Sequence, residues 1–256
     1  MISTIVGYIQ KIQRQHNSWG ATEYVWFRGE LNSMTPLLPK LYRPKPNGSS
    51  HHENKLLQIF RMRAATFSNI SVPIRGHTDQ WLFLAQHVGL PTRSLDWTEN
   101  ALLALYFAIK EDKPLVWMLD PMSLNRLTVS HPSISQYEDY DEFALTWIRG
   151  SLGKLNIGHE NIRSAWEQDS AGVDLPIAIH PTYLHPRMMA QRSVFTFHGK
   201  IKISICNQVP SDIYSKIIIN PKARKKLASQ LRILGIEEAT AFPDLDGLSQ
   251  ELSERY

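Results

Sequence analysis

The stretch Gln86-His-Val-Gly-Leu-Pro-Thr-Arg-Ser-Leu-Asp-Trp-Thr98 combines polar, charged and turn-forming residues more densely than any other part of this 256-residue chain. Apolar residues from Ala101 to Ile109 follow it, then Leu115-Val-Trp-Met-Leu119. Leu102, Leu103, Leu105, Tyr106, Phe107 and Ile109 fall on nearly all sides of a helix, which predicts a buried element. Residues 115–119 read as a buried strand. Pro91 to Thr98 reads as a short loop before the helix start, with Thr98 as cap and Glu99 complementing the helix dipole. Unpaired amides at such a helix start suit an anion, and Arg93 beside them would strengthen the attraction.

Working outward, residues 3–15 read as an opening helix capped by Ser3 or Thr4, and Glu23 to Arg28 as a strand ended by Gly29. Residues 36–50, with four prolines and Asn47-Gly48, read as an extended loop. Helices are expected over 53–67 and from an Asp79 cap onward. The polar stretch 121–172 reads as an insertion or partner surface, with an acidic patch at 138–142 and helices near 140–150 and 159–168. Strands are expected at 177–180, 193–198, 201–205 and 216–219. A helix over 221–234 is stopped by Gly235, and a short last helix follows the turn beginning at Phe242. Strands and helices mix without strict alternation, so the fold class is α+β: a single compact domain over 1–256, with a mixed or antiparallel central sheet flanked by helices. The core motifs span about 22–205, and 206–256 form a C-terminal extension of the same domain.

Apolar residues make up 43% of the chain and charged residues 20%, values of an ordinary folding domain, and the net charge of +4 is common at this size. The N-terminal apolar stretch is broken by Gln, Lys and Arg, so neither an anchor nor an export signal is expected. One cysteine, Cys206, can form no internal disulfide or zinc ribbon, and a cytoplasmic location is expected. There is no GxGxxG, GKS/T, HExxH or GxSxG motif. No metal or permanently bound cofactor is expected.

Phe27-Arg28-Gly29, the 13-residue stretch from Gln86 to Thr98 and Gln191-Arg-Ser-Val-Phe-Thr-Phe-His198 occur in an order that resembles the FRG-domain family. The resemblance runs from about residue 22 to the Phe242–Gly247 segment. It implies a bacterial or phage-borne protein of phage-defence or toxin type, with the chemistry left open.

Two classes of function fit these residues. The order of an arginine on an early strand (Arg28), a Ser/Thr-bearing element before an apolar helix (Ser94 to Ala108) and a polar residue opening a later strand (Gln191) resembles the ADP-ribosyltransferases. That resemblance implies NAD as co-substrate, with Arg28 on a phosphate, Ser94 or Thr98 lining the nicotinamide pocket, and the third position facing the oxocarbenium-like charge. Gln191 stands where that superfamily carries a glutamate and supplies only a dipole, so either another acid such as Asp96 acts or the fold binds without turnover. The catalytic candidates are Arg28, Asp96 and Gln191; the ligand-binding candidates are His87, Thr92, Arg93, Ser94 and Thr98. The rival class is a non-catalytic module recognising a nucleotide, nucleic acid or a phage or host protein. In a third, architectural reading, Arg28 forms a buried salt bridge with Asp96 or Glu30, and His87, Asp96 and Trp97 lock the loop.

Overall fold

The computed structural model describes residues 1–30, 37–64, 66–67, 73, 78–129, 175–181, 183–199 and 201–256. The acidic patch at 138–142 and the helices expected near 140–150 and 159–168 lie outside them.

In chain order the elements are α1 (Ile5–Ser18), β1 (Trp26–Glu30), α2 (Glu53–Ala64), α3 (Thr78–His87), β2 (Ser94–Thr98), α4 (Ala101–Ile109), β3 (Leu115–Leu119), α5 (Pro121–Val129), β4 (Ile177–Ile179), α6 (Pro186–Ala190), β5 (Ser193–Phe197), β6 (Tyr214–Ile218), α7 (Arg224–Ile233), α8 (Glu238–Ala241) and α9 (Leu245–Arg255). The six strands form one antiparallel sheet in the order β4-β5-β2-β1-β3-β6, an α+β arrangement.

The segment expected as a loop before a helix start is strand β2. Leu95 and Trp97 are buried on one face while Ser94, Asp96 and Thr98 alternate onto the other, the period of two that a strand requires. β2 is laddered to β5 along its whole length, from Ser94 opposite Phe197 to Thr98 opposite Ser193, so it is not a helix-start anion nest. The cap of α4 is Asn100, whose side-chain oxygen accepts from the amides of Leu102 and Leu103 at 3.1 and 3.2 Å. Thr98 stands one step further out, its hydroxyl accepting from the Asn100 amide at 2.9 Å and donating to the Gln191 carbonyl at 2.6 Å.

No strand forms over 201–205. Ser204 instead caps a short 3-10 turn at Ile205–Asn207, which seats Ile205 in the core. The helix expected over 221–234 begins with one 3-10 turn at Pro221–Ala223 before α7. The start of the polar stretch packs into the core: Asn125 of α5 exchanges two hydrogen bonds with the main chain of Ala178, at 3.0 and 2.7 Å.

One sheet face carries α1, α4 and α7 over β1, β3 and β6, with Tyr8 fully buried and donating to the Ala101 carbonyl at 2.8 Å. Further along, α3 packs Leu82 and Phe83 against Phe195 and Phe197 of β5. The opposite face is covered by α5 and residues 205–213 over Trp26, Trp97 and Trp117.

β1 divides its duties by pleat. Phe27 packs into the α4 cluster, and a Cβ built on Gly29 would lie 2.4 Å from the Ala104 carbonyl oxygen and 2.7 Å from the Ala108 amide nitrogen. Gly29 is therefore the residue that lets α4 cross directly on the strand. Arg28 alternates to the other side.

Candidate functional site

The sheet is continuous except at its centre. β1 and β2 meet at one residue pair, Phe27 opposite Thr98, and then part. Continuing that register would set Gly29 opposite Asp96; instead the strands diverge, and Arg28 reaches across the gap to donate from Nη1 to the Asp96 main-chain carbonyl at 2.5 Å. Arg28 thus meets Asp96 through the backbone, leaving the carboxylate for other partners.

The parted strands floor a cleft of about 320 Å³. Arg28, Lys40, Arg43 and Arg187 line it against two carboxylates, Glu30 and Asp96, so its formal balance is cationic. Phe107 and Phe242 line it as well, with ring centroids 5.9 Å apart and edge to face, and the Arg187 guanidinium lies 4.4 Å from the centre of the Phe242 ring. The cleft therefore has an aromatic region and a region of concentrated positive charge.

Asp96 is the exposed residue of β2, its carboxylate opening into the cleft, while enough protein surrounds it for burial to act on its charge. Burial raises its pKa, and the Arg28 charge, a hydrogen bond from Gln86 and the Lys40 charge offset part of that rise. Gln86 Nε2 donates to Asp96 Oδ2 at 2.7 Å, and Gln86 Oε1 is held by the Thr92 hydroxyl. Thr92 is consequently a buried anchor behind Asp96 and does not line the cleft.

Arg43 donates from Nε and Nη2 to the Leu38 carbonyl at 2.9 and 2.6 Å. Burial and the nearby Arg28 charge pull its pKa below the ordinary guanidinium value, and Glu30 opposes them. Two guanidiniums held together with partial compensation favour an anion between them.

Among the described residues, four buried polar atoms of the cleft lining have no hydrogen-bond partner: Arg28 Nε, His87 Nε2, Ser94 Oγ and Arg187 Nε. Buried polar atoms are ordinarily satisfied, so such a concentration along one depression is the signature of a site that completes its bonding with a ligand.

Of the residues singled out from sequence, Arg28, His87, Ser94, Asp96, Thr98 and Gln191 meet at the cleft. Gln191 comes from the turn between α6 and β5, where Arg192 adopts a positive φ of 44°, and its Nε2 is engaged with the Ala241 carbonyl at 2.9 Å. Arg93 lies outside: both its Nε and Nη2 donate to the Glu53 carboxylate, and its guanidinium lies 5.7 Å from the Phe197 ring centre. Arg93 therefore does not line the cleft that Arg28 lines; the ion pair holds it on the α2 side of the sheet, where it lines a neighbouring depression.

Glu30, Lys40, Arg43, Phe107, Arg187 and Phe242 were not singled out as site residues, and Gln86 had no role within its motif. Gln86 was the most accessible of these omissions, since an amide at the end of a helix ten residues before an aspartate is a natural partner for it. His185, expected in an extended turn, caps α6 by accepting from the Arg187 amide through Nδ1 at 3.1 Å.

Two histidines here are held neutral. Burial first, then the charges of His185 and Arg187, lower His87 to about 4. Burial, then Arg28 and Arg93, lower His198 to about 3. Unfolded, both would bind a proton below about pH 6.5, whereas the folded protein refuses it, so stability is full above that pH and is lost as pH falls from 6.5 toward 4. Denaturant unfolding at pH 5 should show on the order of 3 kcal/mol less stability than at pH 7. His198→Gln should remove about half of that difference; equal stability at the two pH values would contradict it.

Residues 23–115 match the family model of the FRG domain. These residues are an FRG domain. This FRG segment supplies β1, α2, α3, β2 and α4, and with them Arg28, Glu30, Lys40, Arg43, Asp96 and Phe107. Arg187, Gln191 and Phe242 come to the FRG cleft from outside the matched residues. No curated protein and no solved structure matches the chain. Among the described residues, no group of three or more His, Cys, Asp or Glu could hold a metal ion, and no helix is long and apolar enough to cross a membrane.

Proposed function

We propose that the cleft binds a nucleotide and that its co-substrate is NAD, cleaved at the bond between nicotinamide and ribose. The observation that carries this reading is the parted centre of the sheet, where four buried polar atoms with no partner among the described residues line a depression that carries cationic and aromatic side chains together. A ligand suited to it joins a planar ring to phosphate, as a nucleotide does. The order of Arg28, Ser94 and Gln191 along the chain adds the resemblance to ADP-ribosyltransferases.

In this reading Arg28, Lys40 and Arg43 hold phosphate, while Phe107, Phe242 and Arg187 receive the nicotinamide ring. The bond from ribose C1′ to the pyridinium nitrogen breaks with both electrons leaving on nicotinamide, which departs neutral. The positive charge developing on the ribose faces Asp96, whose full negative charge does what the Gln191 dipole cannot. With water as acceptor, oxygen bonds to C1′ and its proton passes to Asp96, whose raised pKa suits a base; the products are ADP-ribose, nicotinamide and a proton. In a cell, such NAD consumption would serve an effector of phage-defence or toxin type. One observation favours binding without turnover: the Gln191 amide is already engaged by Ala241.

The test is incubation of the purified protein with NAD, following free nicotinamide by chromatography, beside the Arg28→Ala variant. Release that Arg28→Ala abolishes, with NAD affinity weakened by about 10 to 100-fold, supports the enzyme. NAD binding without release leaves the binding module, and neither binding nor release removes NAD from consideration.

A further inference from the structure

Beyond Arg43 lies a second depression, of about 670 Å³. The 3-10 turn Lys40–Tyr42 forms the divide: Lys40 faces the first cleft, Leu41 and Tyr42 face the second, and Arg43 lines both. The second depression is polar and carries Lys202, His51 and His52 beside Arg43. Its acidic residue, Glu53, is already neutralised by Arg93, so the charge left to a ligand is positive. Lys45 lies close enough to His51 to join burial in lowering its pKa, which marks the same concentration of cations.

Size gives the two depressions their relation. At about 320 Å³ the first cleft lies near the lower end of the roughly 300–1,000 Å³ spanned by small-molecule sites, room for one nucleotide and not for two. A dinucleotide seated with its ring against the touching pair Phe107 and Phe242 has to leave past the cationic side. There Arg43 offers a charge on the way out, and the larger polar depression begins on its far side.

We propose that the depression lined by Tyr42, His51 and Lys202 is the second half of a dinucleotide site: it takes the distal, phosphate-linked nucleoside while Arg43 spans the pyrophosphate. This rests on the nucleotide reading of the first cleft and adds to it a reason for the whole dinucleotide to be preferred over its nicotinamide half.

The measurement is calorimetric binding of NAD and of nicotinamide mononucleotide to the full chain and to the His51→Ala/Lys202→Ala double variant. His51 is half-buried and Lys202 exposed, and neither belongs to a core cluster, so the variant keeps the core intact, and equal melting temperatures check this. NAD should bind the natural chain at least tenfold more tightly than the mononucleotide. The double variant should bring NAD to the mononucleotide level and leave mononucleotide binding unchanged. If NAD keeps its advantage in the variant, or both ligands weaken equally, the second half-site is overturned while the first cleft stands. Equal binding of both ligands to the natural chain overturns it as well. Failure of both ligands to bind the natural chain overturns the nucleotide reading itself, and this inference with it.

Discussion

Asp96→Asn is expected to lower nicotinamide release by about 10² to 10⁴-fold while leaving the melting temperature unchanged or slightly higher. The reason lies in the opposing influences on this carboxylate. Burial raises its pKa more than Arg28, Gln86 and Lys40 lower it, so the folded protein holds the ionised form less readily than the unfolded chain does. A group of this kind costs stability at neutral pH, because stability falls as pH rises through its ordinary range. Asparagine keeps the shape and can still accept from Gln86 Nε2, and the Arg28 contact is to the main chain and survives. What disappears is the negative charge facing the cleft. Thermal melting measured beside nicotinamide release tests the argument, and a variant that loses stability as much as activity would return Asp96 to an architectural role.

Arg93→Ala should behave in the opposite way, costing about 3–5 kcal/mol of stability, because it leaves the Glu53 carboxylate uncompensated in a nearly closed site. The paired side chains are 7% and 10% exposed, and the guanidinium also lies over Phe197, so charge and packing are lost together. Replacing both residues, with Arg93→Met and Glu53→Met, should recover most of the loss, since no lone charge remains. Urea unfolding of the three proteins reads this directly. An Arg93→Ala protein of natural stability that no longer binds NAD would make Arg93 a ligand contact after all.

The contrast between these two residues shows what could be read from the chain. Strong periodicities announced their elements: the apolar run of α4, the buried strand β3, and α1 behind its Thr4 cap. β2 is hidden in the sequence because Pro91 and the run of Thr, Ser and Asp carry turn chemistry, although Ser94 to Thr98 alternates polar and apolar residues as a strand does. Local composition also could not distinguish Arg28 from Arg93. Both are arginines beside small residues, and one faces the cleft while the other meets a glutamate 40 positions earlier, a partnership that only the packing of α2 against the sheet creates. Lys40 and Arg43 lie in a proline-rich loop without periodicity, and Arg187 and Phe242 approach from far along the chain, so nothing local marked them.

The parting of β1 and β2 has a bearing on how the protein could be cut down. The matched segment ends at Leu115, the first residue of β3, so a fragment of 23–115 would keep the two central strands and discard both of their outer neighbours. The strands it retained would share a single rung and expose their other edges to solvent. Such a fragment would carry the signature residues and still be poor material for expression, since what aligns Arg28 with Asp96 is supplied by β3 and β5. The stretch by which the family is recognised and the stretch that must be cloned are therefore different lengths of chain.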